Sequence, residues 1–161
     1  MSIRARVQAS FRSIAAAGEA EQALNSMDRM HRKRGWHTKP NTKSFALVIN
    51  AFAKTRHPTG GDRAEVVLRK MIKCHEQEKE LYHEETGTVY NILDPSSNKR
   101  RIVTPDTIAY SSGIQAHPLS ETERSAEKVL ALMTALKQCP DSNLTRYTLV
   151  FGTTLNPFRR K

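Results

Sequence analysis

Apolar residues recur at helical spacing in three similar stretches of the chain. The pattern Ala-Glu-x-(Ala/Val)-Leu-x-x-Met occupies residues 20–27, 64–71 and 126–133. In each copy the apolar residues lie three or four positions apart with charged residues between them, which is typical of an amphipathic helix. The copies therefore predict three helices with one buried face each. The residues expected on these faces are Ala20, Ala23, Leu24, Met27 and Met30; Ala64, Val67, Leu68, Met71 and Ile72; and Ala126, Val129, Leu130, Met133 and Leu136.

A second pattern, Pro-(Asn/Asp)-Thr-x-x-(Phe/Tyr), occupies residues 40–45 and 105–110 and is followed by mostly apolar residues. Proline disfavours helix in the residue before it and fits the start of a new one, so each copy predicts a further helix. Repeats with a period of tens of residues are typical of units that stack on one another. The predicted fold class is all-α, an α-solenoid of three to four helix-turn-helix repeats. Its units are residues 1–41, 42–106, 107–141 and a partial unit 142–161.

The second unit is longer than the first. The interval from Met71 to Pro105 exceeds the interval from Met27 to Pro40 by 21 residues, which locates an insertion within residues 76–104. Residues 88–93 and 100–104 are β-prone, so the insertion is either a hairpin or a loop. Before the second Ala-Glu helix, a Thr-Gly-Gly-Asp turn makes Asp62 the expected N-cap.

The two ends of the chain each allow more than one interpretation. Ile3, Val7, Phe11 and Ile14 share one helical face, and no acidic residue precedes Glu19. Residues 1–18 therefore suit either a mitochondrial targeting segment or the first helix of the first repeat. At the other end, the Pro-Asp pair at 140–141 opens the partial unit, whose second helix is missing.

Charge and composition restrict the function. The chain has a net charge of +10 and a pI near 10.0, which favours a polyanionic partner, nucleic acid before an anionic membrane; a basic solubilising surface is the alternative. No apolar run approaches the ~18 residues that span a bilayer. Cys74 and Cys139 belong to no Cys-x-x-Cys pair, which favours a reducing compartment. Because no metal-ligand spacing, nuclease-type acidic cluster or phosphate-binding loop is present, we expect no catalytic site, no metal and no cofactor.

The two patterns in this order resemble the pentatricopeptide repeat family. Residues 40–46 and 105–111 resemble the start of the family's first helix, and the Ala-Glu copies resemble its second helix. The resemblance covers roughly residues 20–156 apart from the insertion. The units, of about 41 to 44 residues, are longer than the family's mid-thirties length, and armadillo or HEAT-like pairs have periods of ~40 to 47 residues.

The resemblance implies binding of single-stranded RNA, with about one base read per unit. The family's base-reading residues follow the aromatic of the first helix and the proline that ends the unit. On this chain they are Ala46 with Asp106, Ser111 with Asp141, Asn41 for the first unit, and Thr148 for the fourth. Weaker candidates for the RNA backbone are Lys39, Lys43, Arg69 and Lys70.

The chemistry of these candidates differs between units. Ser111 and Asp141 offer a donor and an acceptor, a pair that the family links with a purine, usually guanine. Ala46 offers neither group. Asn41, Asp106 and Asp141 also follow proline at helix starts, where Asn and Asp commonly cap helices.

The sequence thus predicts a non-enzymatic RNA-binding adaptor in organellar RNA processing, stability or translation. Single-stranded RNA is the expected partner and other proteins are further candidates. The mitochondrion is the expected location, with chloroplast and cytoplasm as alternatives. The alternative function is a helical-repeat scaffold for protein-protein interaction without base readout.

Overall fold

The computed structural model describes residues 3–34, 39–55, 57–89, 102–117 and 123–137, with side chains from residue 14 to residue 33 in the first range and from residue 127 in the last. These ranges form α-helices and no strand. The helices are α1 Ile3–Arg34, α2 Thr42–Thr55, α3 Gly60–Thr86, α4 Thr107–Ala116 and α5 Glu123–Lys137. The described part of the chain is therefore all-α, as the hydrophobic pattern predicts.

The helices form two layers. Helix α2 contacts α1, α3 and α4, and α4 also contacts α3 and α5. Helices α2 and α4, which follow the Pro-(Asn/Asp)-Thr segments, lie side by side in what we call the first-helix layer. Helices α1, α3 and α5 contain the three Ala-Glu copies and form the second-helix layer. The chain thus alternates between the layers from one helix to the next.

Ion pairs join successive helices of the second-helix layer, and in both pairs the carboxylate belongs to the glutamate of an Ala-Glu copy. The Glu21 carboxylate accepts from the Arg63 guanidinium at 2.6 Å, which links α1 to α3. The Glu65 carboxylate lies 3.1 Å from the Lys128 ammonium, which links α3 to α5. Each glutamate is the second residue of an Ala-Glu copy, so the repeated glutamate contacts the next helix of the layer.

The core lies between the two layers. Phe45, Ile49 and Phe52 of α2 are fully buried at helical spacing against Leu68 and Met71 of α3. Burying one such side chain contributes roughly 1.5–3 kcal/mol, so this cluster is a main source of stability. A smaller cluster of Ile114, Met133 and Leu136 packs α4 against α5.

The N-terminal segment forms one helix with the first Ala-Glu copy. Helix α1 runs without a break from Ile3 to Arg34. The alternative in which residues 1–18 form a separate first helix of the first repeat is therefore wrong for the described residues. The sequence between Ile14 and Ala20 explains this, because it is rich in alanine and contains no proline. Its one glycine, Gly18, costs only about 1 kcal/mol relative to alanine. The targeting alternative stays a prediction.

The insertion is partly helical. Helix α3 continues to Thr86 and ends at Gly87, which has φ 67° and donates its N–H to the His83 carbonyl at 2.8 Å. Residues 88–89 and 102–104 are not strands, and the rest of the predicted hairpin lies outside the described residues. The partial unit 142–161 also lies outside them.

The expectation that Asp62 caps α3 is wrong, because the helix already begins at Gly60. The Asp62 carboxylate lies in the first turn and pairs with Lys128 instead. Gly61 lets α3 begin close against the end of α4, since a Cβ there would lie 2.9 Å from the His117 Cα and 3.0 Å from the Ala116 carbonyl oxygen.

Candidate nucleic-acid interface

One face of α2 is open to solvent along the helix. Lys43, Leu47, Asn50 and Lys54 lie at positions i, i+4, i+7 and i+11, which form a single stripe on a helix. Lys43 and Lys54 are exposed, Asn50 is half-buried, and Leu47 is 69% exposed. Helix α2 contains no Asp or Glu. This stripe therefore combines positive charge with an exposed apolar side chain.

The exposed face of α4 is neutral. Ile108 is 49% exposed, Gln115 is exposed, and Ser111 is half-buried between them. The Ser111 hydroxyl donates to the Ile108 carbonyl at 3.1 Å, and its oxygen keeps lone pairs that can accept a further hydrogen bond. We call these two stripes together the outward face of the first-helix layer: Lys43, Leu47, Asn50, Lys54, Ile108, Ser111 and Gln115.

Asn41 and Asp106 cap the two helices of this layer. The Asn41 Oδ1 accepts from the Ser44 backbone N–H at 2.9 Å, and the Asn41 N–H donates to the Ser44 hydroxyl at 2.8 Å. The Asp106 Oδ1 accepts from the Ala109 N–H at 2.8 Å. The capping role expected of Asn and Asp after proline is thus confirmed for both residues. A base-reading role would have to use their remaining polar groups.

An extended segment fixes the start of α4 beside the start of α2. The His75 ring hydrogen-bonds the Val103 carbonyl through Nδ1 at 2.8 Å, and the Val103 N–H donates to the Glu78 carboxylate at 2.8 Å. The Thr104 N–H donates to the Thr42 hydroxyl at 3.0 Å. These bonds hold both capped helix starts at one edge of the first-helix layer.

The other base-binding candidates differ in what they can offer. Ala46 is only 9% exposed and carries no polar side-chain group. Asp141 and Thr148 lie outside the described residues. Among the described candidates, Ser111 combines a position on the outward face with a side-chain hydroxyl.

Three of the four backbone candidates form ion pairs away from the outward face. The Lys39 ammonium lies 3.0 Å from a Glu78 carboxylate oxygen. The Lys70 ammonium lies 3.2 Å from the Asp28 carboxylate. Arg69 pairs with the repeated glutamate of its own helix. Lys43 is the candidate that belongs to the first-helix layer.

Acidic side chains are segregated between the layers. Within the described ranges, the Asp and Glu residues belong to α1, α3 and α5, apart from the cap Asp106. Helices α2 and α4 contain none. The lysines of the outward face have no carboxylates on their own helix, whereas the second-helix layer carries charges of both signs. The outward face therefore attracts anions more strongly than the second-helix layer.

A cavity of about 530 Å³ lies between α1 and α3 beside the start of α2. Its charged lining residues are Asp28, Arg32, Lys39, Lys70, Lys73 and Glu78. Burial raises the pKa of Asp28, but the hydrogen bond and charge of Lys70, followed by those of Arg32, outweigh it and the net pKa is lowered. Sequence reasoning missed this cavity, because segments far apart in the chain form it.

The cavity also contains Cys74, a free, half-buried thiol. Burial raises its pKa, and the nearby charges of Asp28 and Glu78 raise it further. A thiol in this environment stays protonated at neutral pH, so it is a poor nucleophile and a poor metal ligand. Cys74 therefore gives the cavity no reactive thiolate.

The described residues contain no group of three or more His, Cys, Asp or Glu side chains arranged to hold a metal ion. None of the helices in these ranges has the length and apolar character needed to cross a membrane. Comparison of the chain with protein-family models, with curated proteins and with solved structures found no match.

Proposed function

We propose that this chain is a non-enzymatic adaptor that binds single-stranded RNA through a solenoid of pentatricopeptide-like hairpins. The observation that carries the proposal is the outward face of the first-helix layer. It contains Lys43 and Lys54 on a helix without carboxylates, next to short polar and apolar side chains. Lysines of this kind can neutralise phosphates, while the other side chains can meet bases.

The contacts between helices support the repeat interpretation. The glutamates of the first two Ala-Glu copies each pair with a basic residue of the next such helix, Glu21 of α1 with Arg63 of α3 and Glu65 of α3 with Lys128 of α5. The basic partners occupy different positions, because Arg63 directly precedes its copy and Lys128 is the third residue of its copy. A stack of similar repeats brings the same pair of helices of successive units together, and the repeated glutamate supports this arrangement. We therefore interpret α2 with α3, and α4 with α5, as successive hairpins of a solenoid, with α1 in the place of a preceding second helix.

The proposed binding mode follows from the chemistry of the outward face. Phosphates lie along the lysines of α2, and Ile108 provides an apolar wall for a base. The Ser111 hydroxyl, which donates to the Ile108 carbonyl, accepts a hydrogen bond from a base edge. Because Ala46 has no polar group, readout in the second unit is weak. Stacking contributes ~1 to 3 kcal/mol per base, so selectivity is modest and a salt-sensitive electrostatic contribution dominates.

Fluorescence anisotropy with labelled single-stranded RNA tests this function. We expect tighter binding to single-stranded RNA than to duplex DNA at about 100 mM salt, and an affinity that falls steeply as salt is raised. Equal affinity for both nucleic acids, or an affinity that does not respond to salt, would contradict the proposal.

A protein-interaction scaffold is the second candidate. Two large apolar side chains, Leu47 and Ile108, are exposed on the outward face, and apolar residues exposed together often mark contacts with proteins. A scaffold would retain protein partners in a pull-down after nuclease treatment, and Leu47→Asp would release them. An RNA-binding adaptor would instead lose its co-purifying material to the nuclease.

We further propose that the chain acts on mitochondrial RNA. The basic, acid-free start of α1 supports this location, because amphipathic helices of that composition are typical of mitochondrial targeting segments. A fluorescent reporter fused to residues 1–34 should be imported into mitochondria in cells. Import into chloroplasts, or a diffuse cytoplasmic signal, would replace this location with one of its alternatives.

A further inference from the structure

Each Ala-Glu copy contains a leucine at the same position, and this leucine is buried in the first two copies and exposed to solvent in the third. Leu24 is 2% exposed and Leu68 is 1% exposed, whereas Leu130 is 66% exposed. Helix α4 covers Leu68, since a Cβ built at Gly113 would lie 3.3 Å from the Leu68 Cδ2. The repeated leucine therefore faces the first helix of the following unit, and in α5 it faces solvent.

Among the described residues of α5, Leu130 is the large apolar side chain that is exposed. Met133 and Leu136 of the same helix are buried in the cluster with Ile114 of α4. Toward α3, Lys128 is held by the carboxylates of Asp62 and Glu65. Helix α5 is thus packed against α4 and linked to α3 by the ion pairs of Lys128. The groove between α5 and α3 is lined by side chains of both helices, whereas no described helix covers Leu130 on the side that would meet a following unit.

We propose that the face of α5 centred on Leu130 is the docking site for residues 140–156 of this same chain. This segment lies outside the described residues, and its sequence fits the site. It opens with Pro-Asp, as the segments before α2 and α4 open with Pro-Asn and Pro-Asp. Leu144, Tyr147 and Phe151 follow at positions i, i+3 and i+7, the spacing of one apolar helical face.

Residues 140–156 of the same chain are a better occupant of this site than a second copy of the protein, because a short link joins them to α5 and because two copies repel each other by charge. Helix α5 ends at Lys137, so the segment begins three residues later, and connections of 2–8 residues typically join antiparallel neighbouring helices. A short tether also gives an effective concentration in the millimolar range. A second copy has no such tether, and the net charge of +10 opposes its approach.

Disulfide trapping in the full-length chain tests the docking. In a Cys74→Ser and Cys139→Ser background, Leu130→Cys is combined in turn with Tyr147→Cys, Val150→Cys and Phe151→Cys. We expect at least one pair to form an intramolecular disulfide on mild oxidation. The matched control is Val66→Cys with the same partners, because Val66 is 61% exposed on α3, and it should form no link. A disulfide-linked dimer would assign the site to a second copy, and no link at any of the three positions would overturn the docking.

Hydrogen exchange provides a second measurement on the native chain. Amides of residues 144–155 should be protected, and Leu130→Gln should lower their protection at least about tenfold while the control Val66→Gln leaves it unchanged. Unprotected amides in the native chain would overturn the proposal. Neither experiment involves RNA, so this inference and the proposed function stand or fall separately.

Discussion

At the scale of single residues, two helical glycines predict opposite responses to the same substitution. A Cβ at Gly61 would lie within 3.0 Å of backbone atoms of His117 and Ala116, which cannot move without shifting α4. A Cβ at Gly18 would meet only the Arg63 guanidinium nitrogen at 3.7 Å. In urea denaturation, Gly61→Ala should lower the free energy of unfolding by about 1–3 kcal/mol. Gly18→Ala should raise it by roughly 0.5–1 kcal/mol, because alanine favours helix.

These two variants serve as controls for each other. Both place a methyl group in a helix, so a difference in sign must come from the surroundings of each glycine. Equal effects at Gly18 and Gly61 would contradict the close approach between α3 and α4.

A buried histidine predicts how stability depends on pH. The His117 side chain is buried, its Nε2 has no hydrogen-bond partner in the described part of the chain, and the Glu65 carboxylate lies 3.9 Å away. Burial lowers the His117 pKa below its usual 6.5, and the Glu65 charge offsets this only in part. Below this pH, His117 is therefore protonated more in the unfolded chain than in the folded chain. The free energy of unfolding must then fall as the pH drops through 6.5.

The variant His117→Gln tests this origin, because glutamine cannot titrate in this range. Its free energy of unfolding, measured by denaturation between about pH 7.5 and 5.5, should fall less than that of the native chain. Some pH dependence should remain, since burial also lowers the pKa of His75. If the native chain and the variant lost equal stability on acidification, His117 would not be a source of the effect.

At the scale of the helices, the hydrophobic pattern predicted the second Ala-Glu copy well and the other two in part. Ala64, Val67, Leu68 and Met71 are buried as expected, because α3 has α2 and α4 packed against it. In α1, Leu24 is buried while Ala23 is exposed. In α5, Leu130 is exposed because no described helix packs against that side of α5. Periodicity identifies which residues share a face, but burial also depends on which neighbouring helices are present.

The ion pair between α3 and α5 predicts a measurable coupling between these two helices. Burial raises the Glu65 pKa, but hydrogen bonds from Lys128 and Arg69 outweigh it, so the net pKa is lowered. A double-mutant cycle with Glu65→Gln and Lys128→Met should give a coupling of about 0.5–1 kcal/mol. The same cycle with Arg69→Met should give about 0.3–0.5 kcal/mol, because Arg69 pairs within its own helix and its side chain is 75% exposed. A larger coupling to Arg69 than to Lys128 would contradict a role for Glu65 in linking α3 to α5.

At the scale of the whole molecule, composition predicted a polyanionic partner without locating its surface. The net charge of +10 reflects the whole chain, and many of the basic residues belong to the second-helix layer. Lys39 and Lys70 show the limit of sequence reasoning, because their ion pairs join residues that are brought together only by folding. The pair of Arg69 with Glu65 is local, since the two residues lie four positions apart on one helix. The patterns did predict the starts of α2 and α4, since a helix start depends on local residues such as the caps Asn41 and Asp106.

The segregation of charge between the layers predicts which lysines contribute to RNA binding. Lys43→Gln with Lys54→Gln should weaken binding to single-stranded RNA, because both lysines lie on the outward face. If each contacts one phosphate, the slope of log affinity against log salt should become shallower by about 1.4, at about 0.7 per phosphate for a single strand. Fluorescence anisotropy across a salt series measures both effects.

The control for this prediction removes the same charge from the other layer. Lys33 of α1 and Lys79 of α3 are exposed on the second-helix layer, and Lys33→Gln with Lys79→Gln gives an equal change in net charge. This control should keep the salt slope of the native chain, since its lysines lie away from the bound strand. Equal losses in both double variants would mean that RNA responds to the overall charge of +10 rather than to a particular surface. The outward face would then lose its role as the binding site, whether or not the chain binds RNA.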